Sequence, residues 1–423
     1  MEQLAFLSAD QVRTIQRQFG TPVFVYSQTS LENQAQSALD FPNPYGLTVR
    51  YAMKSCPSAA VISILNRLGL HIDASSGFEA RRAMRAGVAP EQIQITAQQL
   101  PEDLEELVRQ GVRFNACSLH QLHSFGQLFP GGELCVRINP GLGSGHSNRT
   151  NVGGPSSSFG IWHEYLDQVI TTAAQHDLNI TRLHSHIGSG SDPDVWQRCA
   201  RLTLDIATGL PQVHTVNLGG GFKIGRMAGE LPTDLQAAGQ PIAEEFERFA
   251  AEHGRQLHLE IEPGTYFVGN AGALVCTVMD LVDTGSDGYT FIKVDSGMTE
   301  VLRPSLYGAQ HPIVVVPAQD ENRGQHLYLV AGHCCESGDI LTPEPDNPEG
   351  LLPRLLTEAQ IGDSVVIGGS GAYCAGMSSK NYNSFPEAPE VLLASDGTLY
   401  LARQRQTLDQ ILANETLPDF LKS

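Results

Sequence analysis

The chain has 423 residues, of which 41% are hydrophobic and 17% are charged, and its formal net charge is −19. This length exceeds what one compact core normally supports, so we expect two domains. The acidic balance argues against nucleic acid or an anionic membrane as a partner, because both are bound through basic surfaces. No apolar run reaches the roughly 18 residues that cross a bilayer, and the eight cysteines are scattered without a C-x-x-C pair, which is typical of reduced thiols in a cytoplasmic protein.

From residue 48 onward, short β-rich segments alternate with segments whose apolar residues recur at helical spacing. Eight βα units in about 220 residues have the size of a (β/α)8 TIM barrel. An open doubly wound sheet has the same periodicity, but its functional residues would gather at one switch point. We therefore predict a barrel over residues 31–272, with the strands LTVRYAMK, LHIDASS, IQITA, VRFNACS, ELCVRINP, ITRLHSHIGSG, HTVNLGGG and HLEIEPG.

Beyond residue 272 the predicted strands follow one another with few helices between them, which indicates an antiparallel β-barrel or sandwich domain. This domain is predicted to comprise residues 273–423 and residues 1–30, so that the N-terminal segment TPVFVYS adds a strand to it. A Gly- and Ser-rich insertion at residues 140–162 follows the fifth barrel strand. In a barrel it would lie over the catalytic face as a lid.

Lys54 ends the first predicted barrel strand, in YAMKS. A single lysine usually extends into solvent, but burial at a strand end lowers the pKa of the amine and lets it form a Schiff base. His184 and His186 alternate in HSHIGSG, so both side chains are predicted on one side of their strand. They could be a metal pair or polar core residues. Since the other strand ends offer Lys, Gly, Glu and Ser, we expect no metal and interpret the imidazole as a neutral ring that stacks on a flat ligand.

Gly219, Gly220 and Gly221 end the seventh predicted strand. They form either a tight loop or a cradle of backbone N–H groups for a phosphate, a common feature after strands seven and eight of barrels. Glu262 ends the eighth strand, in HLEIEPGT. It could be a solvated acid, but a carboxylate that faces a pyridine nitrogen keeps the ring protonated and makes it an electron sink. Lysine, histidine, phosphate cradle and acid together are the parts that hold pyridoxal phosphate.

Over nearly its full length the sequence resembles the fold-type III pyridoxal-phosphate decarboxylases, and among them the diaminopimelate decarboxylases. The motifs YAMKS, HIGSG, LGGGF, RPSLYG, CESGD and GAYCAGMSSKNYNS stand in family order, and GHSNRTNVGG with FGIW resembles the family's lid. The resemblance implies a lyase of amino-acid biosynthesis, a cytoplasmic homodimer with shared active sites that releases CO2 from an amino-acid substrate. The expected reaction converts meso-diaminopimelate to L-lysine.

The resemblance also implies roles for individual residues. Lys54, His186 and Cys335 would be catalytic, with Lys54 bound to the cofactor, His186 stacked on its ring and Cys335 donating a proton. Glu262 would pair with the pyridine nitrogen. The phosphate would be held by Ser189, Gly219, Gly220, Gly221 and Tyr373, and the substrate would meet Arg303, Tyr307, Glu336 and Tyr373, with Cys335 and Glu336 supplied by the partner subunit.

Two positions depart from the family pattern. Thr265 stands where EPGR has its arginine, and Phe385 stands where relatives have a basic residue. Diaminopimelate stays the expected substrate if Arg303 and Arg149 supply the charge. D-lysine, D-ornithine, carboxynorspermidine and a citryl-amino acid siderophore precursor are the alternatives. A racemase of this fold type would need a catalytic tyrosine in place of CESGD, and the intact Lys54 and Cys335 argue against a non-catalytic homologue.

Overall fold

The computed structural model describes residues 2–143, 153–186, 188, 190 and 192–422. The chain forms two compact units: a barrel unit of Leu31–Gly225 and Glu230–Phe267, and a β unit of Met1–Ser30, Arg226–Gly229 and Val268–Ser423. None of the described helices is both long and apolar enough to span a membrane. The first elements along the chain are α1 (Ala9–Phe19), β1 (Val23–Ser27) and α2 (Gln28–Leu39).

The barrel unit contains a closed ring of parallel strands. Each of the eight strands pairs with the next one along the chain, including the fourth with the fifth. The last strand pairs with the first, so the ring has no free edge. The (β/α)8 barrel and its eight strands are therefore confirmed, and a two-residue strand, β7, adds to the outside of the ring. The strands are β2 (Leu47–Ala52), β3 (His71–Ala74), β4 (Ile93–Thr96), β5 (Arg113–Ala116), β6 (Glu133–Asn139), β7 (Ile161–Trp162), β8 (Asn179–His184), β9 (Thr215–Asn217) and β10 (His258–Ile261).

The small polar residues that follow the barrel strands start the next helices. Ser76 and Ser118 accept hydrogen bonds from the first-turn N–H groups of Glu79 and Gln121, the usual role of an N-cap serine. Each strand end is thereby fixed to the helix that packs outside it. The helices are α3 (Ala59–Arg67), α4 (Gly77–Arg85), α5 (Leu104–Arg109), α6 (Leu119–Leu128), α7 (Leu166–Gln175), α8 (Pro193–Thr208), α9 (Leu235–His253) and α10 (Thr265–Val268), with 3-10 turns at Met53–Ser55, Pro90–Gln92 and His163–Tyr165.

The β unit is built around one sheet of nine strands. Its core is formed by apolar residues of α1 and of the strands on which α1 packs, such as Val12, Val25 and Val275. The elements are β11 (Gly272–Asp283), β12 (Thr290–Val294), α11 (Arg303–Tyr307), β13 (Ile313–Val316), β14 (Gln325–Ala331), β15 (Pro343–Glu344), β16 (Asn347–Leu351), β17 (Arg354–Thr357), β18 (Ser364–Ile367), β19 (Glu390–Leu393), β20 (Leu399–Arg403) and α12 (Leu408–Leu412), with 3-10 turns at Tyr382–Ser384 and Asp419–Leu421.

The N-terminal strand is in this sheet, as predicted, because β1 pairs with β11 and β19. Most strand pairs of the sheet are antiparallel, as predicted, but β1 pairs in parallel with β19 and β12 with β14. Long connections precede both parallel partners, and only such connections allow parallel pairing. Residues 226–229 and 268–272 also group with the β unit and not with the predicted barrel segment, because Gly272 pairs with Tyr26 and Arg226 donates to the Gly369 carbonyl.

Charged side chains fill part of the barrel interior. Arg50 is fully buried and forms two hydrogen bonds with Glu260, of 2.9 and 3.1 Å. Arg182 contacts the same carboxylate at 2.5 Å. Burial opposes a charge on Glu260, but Arg50 and Arg182 outweigh it and lower the pKa of Glu260 below its ordinary value. The barrel interior thus contains an ionised carboxylate between two guanidinium groups, and removal of either cation leaves charge without its partner.

The first prediction concerns this pair. Arg50→Met should lower the urea midpoint of the barrel unit by an amount equivalent to roughly 3–5 kcal/mol, because it leaves a buried carboxylate without one of its cations. Both tryptophans of the chain, Trp162 and Trp196, lie in this unit, so tryptophan fluorescence follows its unfolding. Arg109→Met removes an exposed arginine that pairs with Glu105 at 2.7 Å and should change the midpoint by less than about 0.5 kcal/mol. Equal shifts for the two variants would contradict the prediction.

Candidate active site

The carboxyl ends of the barrel strands bring four ionisable residues together. Lys54 lies in the turn after β2, Asp73 lies in β3, His184 ends β8, and Glu262 directly follows β10. Parallel strands of a barrel end on one face, which is the face that carries active sites in this fold. Lys54 and Glu262 therefore lie at strand ends, as predicted, and Asp73 and His184 join them in the barrel unit.

Glu262 is held by three side-chain donors. Its Oε1 accepts hydrogen bonds from Gln94 Nε2 at 3.0 Å and Asn217 Nδ2 at 2.6 Å. Its Oε2 lies 2.9 Å from His184 Nε2. Burial opposes a charge on this carboxyl, but His184 and Arg50 outweigh it and lower the pKa of Glu262. Glu262 is thus an ionised carboxylate although it is buried. A group that keeps a pyridine nitrogen protonated must carry this negative charge.

His184 supports Glu262 and does not stack on a ligand from this position. Burial lowers the pKa of His184, so its imidazole is neutral. An ionised carboxylate only accepts hydrogen bonds, which places the proton of the neutral ring on Nε2. Alternation along HSHIGSG predicts both histidines on one side of their strand, and His184, the last strand residue, faces the Glu262 carboxylate.

Asp73 is a further buried carboxyl that the sequence reasoning missed. Burial, and after it the charge of Glu262, raises the pKa of Asp73 well above its ordinary value. Its Oδ1 has no hydrogen-bond partner within the described part of the chain. Of the two carboxyl groups on this face, Asp73 has its pKa raised and Glu262 has its pKa lowered, so Asp73 holds a proton more strongly. The only sequence signal was an acid at an inward position of LHIDASS. Gln94 and Asn217 occupy comparable positions in their own strands.

Lys54 differs from its prediction in one respect. Its side chain is exposed, so the expectation of a buried amine is wrong. The reason is local: β2 ends at Ala52, and the turn Met53–Ser55 carries Lys54 beyond the packed strand. Burial dominates the pKa shifts of Asp73 and His186, but the charge of Lys54 contributes to both. The Lys54 ammonium therefore lies within electrostatic range of the other groups at this face.

His186 and Gly219 are matched to each other. Burial, and after it the charges of Arg137 and Lys54, lowers the pKa of His186 well below its ordinary value. The ring is therefore neutral, and its Nδ1 has no hydrogen-bond partner among the described residues. Gly219 has φ +71°, and a Cβ there would lie 2.5 Å from this Nδ1. Glycine at 219 is what allows the imidazole to occupy its place.

The glycine run offers two backbone donors. Gly219 donates its N–H to Asn217 Oδ1 at 2.8 Å, so its evident contribution is steric. Gly220 and Gly221 donate no hydrogen bond within the residues that the structure describes. Gly220 packs so closely on the Glu262 carbonyl that no Cβ fits there. The predicted phosphate ligand Ser189 and the cation Arg149 lie outside the described residues.

These residues fit pyridoxal phosphate. A buried ionised carboxylate matches the pyridine nitrogen, a neutral half-buried imidazole matches the ring face, and two N–H groups without a partner in the described chain match the phosphate. His186 Nδ1 has no hydrogen-bond partner among the described residues, and the glycines leave space beside it. Both features are uncommon in a packed core and are typical of a ligand site. The cofactor predicted from the sequence therefore suits the barrel unit as it is folded.

The other predicted site residues lie in the β unit. Arg303 and Tyr307 begin and end α11, and the Arg303 guanidinium carbon lies 6.0 Å from the centre of the Tyr307 ring. Tyr373 has φ +55°, a conformation that non-glycine residues adopt rarely and that often marks a functional position. Phe385 stacks on His333 with ring centres 3.6 Å apart, which gives the aromatic residue at this position a packing role.

The loop that carries Cys335 and Glu336 is organised by Asp339. The buried carboxylate of Asp339 accepts hydrogen bonds from the N–H groups of Cys334 at 2.9 Å and Met298 at 2.7 Å. Its place exists because residues 297 and 332 are glycines, whose missing Cβ atoms would lie against it. Cys335 and Glu336 are left exposed at the tip of the loop. A thiol and a carboxylate are thereby presented at the surface on a fixed backbone.

The second prediction tests the fit between His186 and Gly219. Gly219→Ala should weaken pyridoxal phosphate binding at least tenfold, measured by titration of the bound-cofactor absorbance, because the new methyl group displaces the imidazole. Gly69→Ala is the matched control: Gly69 also has positive φ, +98°, but a Cβ there meets nothing within 4 Å. The control carries the same type of backbone strain and should keep the affinity. Equal loss in both variants would contradict the role of Gly219.

Comparisons with known proteins give the family. The family model described as "Pyridoxal-dependent decarboxylase, pyridoxal binding domain" matches residues 29–269. The diaminopimelate decarboxylase of Escherichia coli K12 is 34% identical over 421 residues, which are 97% of each chain. That of Streptomyces coelicolor is 34% identical over 407 residues, 94% of this chain and 90% of the relative. A crystal structure of a diaminopimelate decarboxylase superposes with a TM-score of 0.89 at 33% identity and covers 96% of both chains. The chain therefore belongs to the fold-type III pyridoxal-dependent decarboxylases and is a carboxy-lyase that uses pyridoxal phosphate.

Proposed function

We propose that this enzyme decarboxylates meso-diaminopimelate to L-lysine and CO2. The observation that carries decarboxylation is the ionised Glu262, held by three donors at the face of the barrel where Lys54 and a neutral His186 also lie. The choice of substrate rests on the relatives: the similarity to diaminopimelate decarboxylases extends over 97% of this chain and so includes the β unit as well as the barrel.

The barrel residues bind and orient the cofactor in this proposal. The Lys54 amine would hold the cofactor covalently, and its exposed position leaves that amine accessible to a substrate. His186 packs on the ring face as a neutral imidazole, which adds no positive charge there. The N–H groups of Gly220 and Gly221 serve the phosphate, with Ser189 and Tyr373 as further ligands implied by the motifs, whereas the N–H of Gly219 is donated to Asn217.

Glu262 has one task, to keep a proton on the pyridine nitrogen. When bound, pyridoxal phosphate supplies an electron sink for the electron pair that the departing CO2 leaves behind. The sink depends on that proton, and the proton depends on a carboxylate that is charged although buried. The donors Gln94, Asn217 and His184 stabilise the charged form. The raised pKa of Asp73 opposes a second negative charge at this face.

Cys335 and Glu336 act from the partner subunit in this proposal, so the enzyme is a homodimer with shared active sites. In support, both side chains are exposed while the backbone that carries them is fixed by Asp339 and by the hydrogen bond from Cys335 N to Asn383 Oδ1, of 2.8 Å. The Cys335 thiol returns a proton to the α-carbon after CO2 has left. Arg303 and Tyr307 meet the distal carboxylate of the substrate.

Thr265 favours a second candidate function. It carries no charge where the family pattern has an arginine, and Phe385 is occupied by its stacking on His333. A substrate without a distal carboxylate would need neither charge. Decarboxylation of D-lysine, D-ornithine or carboxynorspermidine is therefore the alternative within the same reaction class.

The third prediction separates these substrates. Purified enzyme loaded with pyridoxal phosphate should release CO2 from meso-diaminopimelate with a kcat/KM at least 100-fold above that for D-lysine, D-ornithine or carboxynorspermidine, a ratio that one lost charge-assisted contact cannot erase. The measurement is CO2 evolution over the panel, with Lys54→Ala as the blank. A higher kcat/KM for any of these three alternatives would move the assignment to that substrate. Racemisation without CO2 release would contradict the decarboxylase.

The fourth prediction tests the shared site. Lys54→Ala and Cys335→Ala should each have little activity as pure proteins. When the two are co-expressed with different tags, half of the dimers are mixed, and one site of each mixed dimer combines an intact Lys54 with the partner's Cys335. About a quarter of the wild-type activity should therefore return. The control is a mixture of Lys54→Ala with Lys54→Met, which has no intact site. No recovery in the Lys54 and Cys335 mixture would mean that both residues act within one chain.

A further inference from the structure

Three successive backbone N–H groups in the β14–β15 loop have acceptors within the β unit. The N–H of Cys334 donates to Asp339 Oδ2 at 2.9 Å, and that of Glu336 donates to the Cys334 carbonyl at 2.8 Å. Between them, the N–H of Cys335 donates to Asn383 Oδ1 at 2.8 Å, across 48 positions of the chain. Since the N–H and the Cβ of a residue are carried by adjacent atoms, these acceptors also fix the direction in which the Cys335 side chain leaves the backbone.

The turn that contains Asn383 has an unusual backbone. Asn381, Asn383 and Ser384 have φ values of +58°, +50° and +61°, so three non-glycine residues within four positions are left-handed. Even a single such residue is uncommon, although Asn adopts this conformation more readily than most residues. Residues of this kind persist only where their surroundings impose the conformation, and they cluster at functional positions. The backbone of this turn therefore indicates a function for what the turn presents.

Contacts around the turn impose its conformation. Before the turn, the N–H of Ser379 donates to the Met298 carbonyl at 3.0 Å, and the N–H of Met298 donates to Asp339 Oδ1 at 2.7 Å. Within the turn, Asn381 Nδ2 donates to the Phe385 carbonyl at 3.0 Å. The turn is thus connected through one residue, Met298, to the same carboxylate that organises the β14–β15 loop.

Phe385 ends the turn and packs on the β14–β15 loop. Its ring stacks on that of His333 with the ring centres 3.6 Å apart, and His333 Nε2 lies 2.7 Å from Thr299 Oγ1. Burial lowers the pKa of His333 to about 4, so the imidazole is neutral at neutral pH and the stack does not depend on its charge. The turn and the loop therefore meet at two points, the ring stack and the hydrogen bond from Cys335 to Asn383.

We propose that Asn383 is a positioning residue that sets the direction of the Cys335 side chain, and that Phe385 fixes the turn from which Asn383 acts. The inference rests on the proposed function, in which the Cys335 thiol returns a proton to the α-carbon. It also gives a reason for an aromatic residue at position 385, where relatives have a basic one.

Position and not stability is what this hydrogen bond provides. Both Cys335 and Asn383 are exposed, so water can replace either partner, and such a bond contributes little net free energy to folding. Catalysis is far more sensitive, because a displacement of about 1 Å can reduce a rate by about a hundredfold. A turn with three left-handed residues is a poor means of stabilising a fold, but it holds one acceptor in one place.

The fifth prediction separates position from stability. Asn383→Gly removes the acceptor and adopts the left-handed backbone without strain. In the holoenzyme this variant should lower kcat for meso-diaminopimelate by roughly 10- to 100-fold, with little change in KM, pyridoxal phosphate affinity or melting temperature. Hydrogen exchange followed by mass spectrometry gives a readout that does not depend on turnover: the Cys335 amide should exchange at least about tenfold faster than in the wild type.

Variants of the same turn are the matched controls. Asn383→Asp keeps an oxygen acceptor, so it should retain slow exchange of the Cys335 amide and a kcat above that of Asn383→Gly. Ser384→Gly places glycine at another left-handed position of the turn and should change neither kcat nor the exchange. Phe385→Leu removes the ring stack but keeps an apolar side chain, and it should lower kcat and speed the exchange of the Cys335 amide less than Asn383→Gly does.

A double-mutant cycle tests whether Asn383 acts through the thiol. In a Cys335→Ala background, Asn383→Gly should lower kcat no further, because the group that it positions is already absent. A second loss as large as the first would mean that Asn383 acts on the site by another route, and it would overturn the inference.

Other outcomes are equally decisive. Faster exchange of the Cys335 amide with a wild-type kcat in Asn383→Gly would overturn the inference, because the hydrogen bond would be lost without consequence. Equal losses of kcat in Asn383→Gly and Ser384→Gly would also overturn it, since they would assign the effect to the backbone of the turn and not to the acceptor. The proposed function fails differently, through a wild-type enzyme that releases no CO2 from meso-diaminopimelate or a Cys335→Ala variant with full kcat.

Discussion

The charge on Glu262 is the feature on which the rest of the barrel unit depends. A carboxylate inside a barrel is unstable unless several donors replace the water it has lost. Here Gln94, Asn217 and His184 do so, and each comes from a different strand. The closed ring of strands is what brings these donors to one point, so the fold and the protonation state of the acid cannot be separated.

The donors are themselves held by the layer below. Asn217 Nδ2 also contacts Glu260, at 3.1 Å, and Arg182 hydrogen-bonds to Gln94. Glu260 in turn lies between two arginines. The barrel interior is therefore a connected polar network in two layers, and in such networks each member depends on the others more than a sum of pairs suggests. A buried ion pair of this kind contributes little net stability, so its value here lies in the fixed positions of the donors to Glu262.

Sequence reasoning was effective where local patterns decide the outcome. The eight barrel strands and the N-terminal strand of the β unit follow from hydrophobic periodicity, and Glu262 follows from its place before Pro263 and Gly264. The resemblance to a known family supplied the residues of the β unit. Sequence could not give the state of Lys54, because whether a strand ends one or three residues earlier decides if the lysine is buried. It could not give Asp73, Gln94 or Arg182 either, since their partners lie far away in the sequence.

The departure at Thr265 shows how the loss of a charge at one position is to be judged. Within the barrel unit the charges around Glu262 are balanced locally, so an arginine at 265 is not needed to keep that acid ionised. What the substitution removes is a cation available to an anionic ligand, and in the β unit Arg303 has a buried Nε without an acceptor among the described residues. A change at one motif position therefore does not by itself change the substrate. The outcome depends on whether another residue supplies the same chemistry, and the motifs assign that role to Arg303.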